Sequence, residues 1–140
     1  MQKVNDMKKK EILFLLFFLM FVSLYSQNKF RVDYNYVSFY DERVGNWSKW
    51  EKGDNTFVIN INDRGDIAHL EANGETVIYR KLSGVEEGTT SDGHHYQIIK
   101  ALDGDGDVFT FQLFDERALG LKLMYGNFLI QFAYLPQGLN

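Results

Sequence analysis

The side chains best able to do chemistry in this chain are carboxylates, imidazoles and indoles, and their spacing limits what each can do. Asp103, Asp105 and Asp107 alternate within Asp103-Gly104-Asp105-Gly106-Asp107. Three carboxylates at alternate positions suit an oxygen-preferring cation such as calcium. An EF-hand loop would then need Gly at position 108 and Glu at position 114, where Val108 and Phe114 stand. The same string reads as a hairpin turn, with Gly supplying positive φ and Asp bonding nearby backbone. The turn is the expectation and a metal site the alternative.

His69, His94 and His95 are the only imidazoles. Adjacent histidines in a strand point to opposite faces, and no pair here has the i, i+2 spacing that puts two rings on one face. All three are expected to be surface residues, not metal ligands. Trp47-Ser48-Lys49-Trp50 follows Tyr34, Tyr36 and Tyr40 closely in the chain. Trp47, Trp50, Tyr34 and Tyr36 form the candidate ligand-binding group, because aromatic faces bind apolar and sugar groups well. The competing structural reading has one Trp plugging a barrel end and the other packing on its rim.

Nucleophilic catalysis finds little support. There is no Cys and no Gly-x-Ser-x-Gly elbow, so no catalytic residue and no cofactor is assigned. Arg64-Gly65-Asp66 spells an integrin-binding tripeptide, but Gly and Asp are ordinary turn residues. Asn46-Trp47-Ser48 fits the N-glycosylation pattern.

The elements that would position these residues follow from composition and pattern. With 140 residues the chain is sized for one domain. Having no Cys excludes disulfide support, a thiolate zinc site and the Cys on which a lipoprotein anchor is built. A net charge of −4 is a poor footprint for nucleic acid, so none is expected as partner.

The front of the chain is unlike the rest. Met7-Lys8-Lys9-Lys10 is basic, Ile12 to Val22 is wholly apolar, and Ser26 precedes Gln27. This order reads as a secretory signal peptide over 1–26, helical in its apolar part, with Met7 an alternative start. The apolar run is shorter than the roughly 20 residues a spanning helix needs. No membrane span is therefore expected after cleavage. Residues 27–140 would form a single β domain, exported to the periplasm or beyond.

In that domain period 2 dominates and no window has a convincing helical period. Val32, Tyr34 and Tyr36 alternate with Arg31, Asp33 and Asn35, and the apolar set then slips to Val37 and Phe39, which predicts a bulge or bend. Phe57, Ile59 and Ile61 alternate, as do Phe109, Phe111 and Leu113, then Leu119, Leu121, Leu123 and Tyr125, then Phe128, Ile130, Phe132 and Tyr134. Asn73-Gly74 predicts a hairpin with both residues at positive φ, and Gly126-Asn127 one with Gly in the first position. Ser83 to His95, polar and Gly-rich, reads as a long surface loop.

Eight or nine strands in series predict an antiparallel up-and-down meander closing into a small or half-open barrel, with a two-sheet β-sandwich as alternative. The barrel resembles the lipocalin and streptavidin class in architecture only, since the lipocalin motifs are not present. Three functions fit: a non-enzymatic binding protein for a small apolar molecule or lipid, an envelope protein-interaction module, and, third, a small hydrolase.

Overall fold

The computed structural model describes residues 28–137, and the expected signal segment lies outside them. Ten strands form one antiparallel sheet: β1 (Phe30–Asp41), β2 (Asn46–Trp47), β3 (Glu51–Ile59), β4 (Ile67–Leu70), β5 (Thr76–Lys81), β6 (Glu86–Thr89), β7 (His95–Leu102), β8 (Val108–Phe114), β9 (Leu121–Tyr125) and β10 (Phe128–Ala133). The last strand returns to the first, with Tyr36 opposite Ala133 and Asp41 opposite Phe128. That pairing closes a barrel of eight staves and removes the sheet's free edges. The sandwich alternative is excluded. Among the described residues no helix is long and apolar enough to cross a membrane.

Ten strands make eight staves because two staves are broken. β1 pairs with β10 along one edge, so β2 and β3 both lie along its other edge. They are one stave interrupted at Ser48–Trp50. In the same way β7 pairs with β8 on one side and with both β5 and β6 on the other. The connection 83–95, expected as a surface loop, therefore carries a strand. Its Gly88 lies opposite Tyr96, whose ring occupies the space where a glycine Cβ would be. The lack of apolar alternation hid this strand, because its residues are Glu86, Glu87, Gly88 and Thr89, and both glutamates are exposed.

β1 does slip, but earlier than predicted, since Tyr36 no longer shares the phase of Tyr34. Val32, Tyr34 and Val37 contribute to the core, so the inward set shifts by one after Tyr34. Register against β3 skips between Tyr34 and Tyr36, with the extra residue on β3.

Four hairpins share one turn, built on Asn62–Gly65, Glu71–Gly74, Thr90–Gly93 and Asp103–Gly106. In each, the fourth residue's N–H donates to the carbonyl of the first, and the Gly has positive φ. Asn73 does not take positive φ, so Asn73-Gly74 forms this longer turn and not the two-residue turn expected. A side-chain oxygen caps each turn: Asn62 accepts from the N–H of Arg64 and Asp66, Thr90 from that of His94, and Asn73 from that of Glu75. Gly126-Asn127 is a two-residue turn between the paired Tyr125 and Phe128, with Gly126 at positive φ as expected.

The waist of the barrel is filled. Phe57, Ile67, Phe111 and Leu121 are wholly buried and pack with Tyr34, Ile59, Ile99 and Phe132. Any room for a ligand is left to the ends.

Candidate functional site

At the end where β4 meets β5 and β7 meets β8, the interior opens into a cavity of about 390 Å³. Its wall is apolar and aromatic, from Val37, Phe39, Tyr79, Phe109, Leu123 and Ile130, and its polar members include Asn55, His69 and Glu71. That volume lies within the range of small-ligand sites, about 300–1,000 Å³. A second hollow, about 660 Å³, lies at the opposite end between Phe30, Ile59, Val85 and Ile99, with Asn28, Asn60, Glu87 and Gln97. Among the described residues, the first contains a buried polar pair.

That pair is His69 and Asn55. Asn55 stands two residues before Phe57 on β3, and His69 is the cross-strand partner of Phe57 on β4, so period 2 turns both inward. His69 is 5% exposed, its ring stacked on Phe57 at 4.1 Å and edge-on to Phe132. The expectation of a surface histidine fails here, because Ile67 and His69 share the inward phase of a short central strand. The Asn55 amide donates to the Gly53 carbonyl, which turns Asn55 Oδ1 toward His69 Nε2 at 2.9 Å. An amide oxygen can only accept, so Nε2 carries the proton and Nδ1 is a bare acceptor. Among the described residues Nδ1 has no hydrogen-bond partner. Burial pushes the imidazole down to about 4, so the ring is neutral at pH 7.

The other two histidines are at the far end and do not share a site. His94 lies between Asp92 at 3.3 Å and Glu116 at 3.1 Å, while His95 contacts Asp115 at 2.9 Å.

The four aromatic residues singled out by sequence are dispersed. Tyr34 is in the core beside Phe57. Tyr36 is buried outside that core cluster, along a hollow with Asn35, Lys52, Gly53, Asp54 and Gln137. Trp47 and Trp50 are partly exposed, Trp47 against Tyr40 with Lys122 over its ring. Neither indole plugs a barrel end, and none of the four lines the mouth cavity.

The Asp103, Asp105 and Asp107 carboxylates come within 4.8 Å of one another. Yet Asp103 Oδ1 already accepts from the N–H of Asp105 at 3.0 Å and of Asp107 at 2.9 Å. Asn62 and Thr90 do the same job in the equivalent turns, so the position demands a cap rather than a cation ligand. Asp103→Ala is expected to lower stability by about 1 kcal/mol, as for loss of a side-chain cap. Millimolar calcium is expected to leave the Tm of the parent protein unchanged. A calcium-dependent rise in Tm that disappears in Asp103→Ala would reverse this reading.

In Arg64-Gly65-Asp66 the acid is 2% exposed, held by Asn62 at 2.8 Å, the Lys81 N–H at 3.0 Å and Arg64 at 3.1 Å. Burial raises its pKa, but those hydrogen bonds and the guanidinium outweigh it and hold the carboxyl below its usual range. A carboxylate so enclosed is a structural pin and not a recognition element.

Fold and site together define a class: a closed, filled eight-stave barrel with one apolar end cavity over a neutral imidazole. Comparison of the chain with protein families, with curated proteins and with solved structures found no match.

Proposed function

We propose that this is an exported, non-enzymatic binding barrel whose mouth cavity takes a small, largely apolar molecule. The observation that carries the reading is the cavity itself, where apolar and aromatic side chains from several staves converge above the Asn55–His69 pair. Convergent apolar walls with a few placed polar groups are the usual make-up of a ligand site. His69 favours binding over hydrolysis, since its bonded partner is Asn55 and no Ser or Thr lines the cavity with it. Export rests on the basic and apolar pattern of residues 7–26.

An uncharged fluorophore such as N-phenylnaphthylamine tests the site. Saturable binding, one per chain, is expected, with the signal lost in Ala72→Trp, which fills the rim from an exposed loop. Binding that ignores Ala72→Trp, or no saturable binding, would refute the reading.

A second reading, an envelope protein-interaction module, is favoured by the partly exposed Phe39, Trp47, Trp50, Tyr125 and Phe128. Crosslinking that moves from the Trp47 face on Trp47→Ala and Trp50→Ala would support it over ligand carriage.

A further inference from the structure

The charge around the mouth narrows the chemistry of what it can hold. The strand ends and loops at this end are residues 41–54, 71–75, 103–107 and 126–127. They carry the carboxylates of Asp41, Glu42, Glu51, Asp54, Glu71, Glu75, Asp103, Asp105 and Asp107, against three cations, Arg43, Lys49 and Lys52. Arg43 is itself paired with Asp41 at 3.2 Å. Among the described residues that line the cavity, Glu71 is the one carboxylate, no Lys or Arg is present, and His69 is neutral.

The negative field reaches the aromatic wall. Tyr79, which lines the cavity, is pushed up to about 12, chiefly by burial and then by the Glu71 and Asp103 carboxylates. Tyr125 is raised as well, by Asp107 first. Its ring is stacked on Phe109 at 4.8 Å, and Phe109 meets Tyr79 edge-on at 5.2 Å. Acidic groups and aromatic faces side by side attract the same kind of guest, since both favour an organic cation. A carboxylate guest would meet Glu71 with no lining cation to offset it, and charge so placed is costly.

We propose that the mouth selects cationic amphiphiles: an apolar body in the cavity and an ammonium group at the rim beside Glu71 and the Asp103–Asp107 turn. This rests on the cavity being a binding site, and it adds the class of guest. Acid lipids are disfavoured, and neutral molecules of the same shape bind less tightly.

Three ligands with one chain length separate the two claims. Decylammonium, decanol and decanoate are titrated below their aggregation concentrations into the full exported chain at low salt, by calorimetry and by displacement of N-phenylnaphthylamine. Decylammonium is expected to bind about tenfold more tightly than decanol, with decanoate the weakest, as a focused negative field requires. The preference should shrink as salt is raised. Glu71→Gln should weaken decylammonium severalfold more than it weakens decanol. If decanol binds and decanoate equals or exceeds decylammonium, the charge preference is overturned while the cavity stands. The same follows if Glu71→Gln shifts both ligands alike. If none of the three binds at the mouth, the cavity reading falls and the cation preference with it.

Discussion

Gly120→Ala is expected to cost about 4 kcal/mol, a large part of the roughly 5–15 kcal/mol that holds a domain of this size folded. Gly120 lies in the turn between β8 and β9 with φ at +70°, where an L side chain already adds about 1 kcal/mol of strain. The larger effect is steric. A Cβ there would overlap the carbonyl oxygen of Phe132, with the Ala133 Cα at 2.9 Å. Neither partner has room to yield. Phe132 is paired with Leu121 and with Val37, and the Gln131 amide donates to the Leu119 carbonyl at 2.8 Å. Tyr134 N–H donates to Arg117 just beyond, at 2.9 Å. Moving β10 away would loosen the seam that closes the barrel. Gly106→Ala is the control, since Gly106 has φ at +84° and open space around its Cα. It should lose only about 1 kcal/mol. Urea unfolding of both variants checks the pair, and equal losses would show that φ strain alone is at work.

Gly120 also marks where sequence reading reached its limit. Alternation in Phe57–Ile59, Phe109–Leu113 and Leu121–Tyr125 was enough to predict staves and a closed meander, because a half-buried strand must alternate. It could not reveal that Gly120 touches a backbone twelve residues further on, since close approach leaves no pattern in the chain. β6 was missed for the related reason that its paired backbone sits under Glu86 and Glu87 rather than under apolar side chains. The site was legible only in part. Asn55 and His69 stand at inward phases beside Phe57 and Ile67, so a polar residue on the buried face was the available signal. Trp47 and Trp50, however, fall at the break in a stave and remain on the outside. The mouth is formed by residues as distant as Val37 and Ile130, and such an assembly is visible only once the barrel closes.

The neutral histidine under the mouth should give the protein a stability that depends on mildly acidic pH. Burial holds His69 at about 4, against about 6.5 for an imidazole in the unfolded chain. Between these values the unfolded chain takes up a proton that the folded one refuses. Stability is therefore fully present above pH 6.5 and is lost as pH falls toward 4. The loss reaches about 3 kcal/mol, from 1.36 kcal/mol for each unit of difference. His69→Gln keeps a polar group opposite Asn55 but has no titrating proton. It should lower stability at pH 7, through altered packing on Phe57, yet flatten the dependence between pH 6.5 and 4. Asp66 acts lower down. Its pKa is depressed, so its contribution is present above the ordinary Asp range and is lost only as pH falls below that range. The difference between parent and His69→Gln across pH 4 to 6.5 isolates the imidazole from every other group. Urea midpoints measured along that range give the answer: parallel curves would mean that His69 is already accommodated as a cation, and a converging pair that the barrel depends on keeping it neutral.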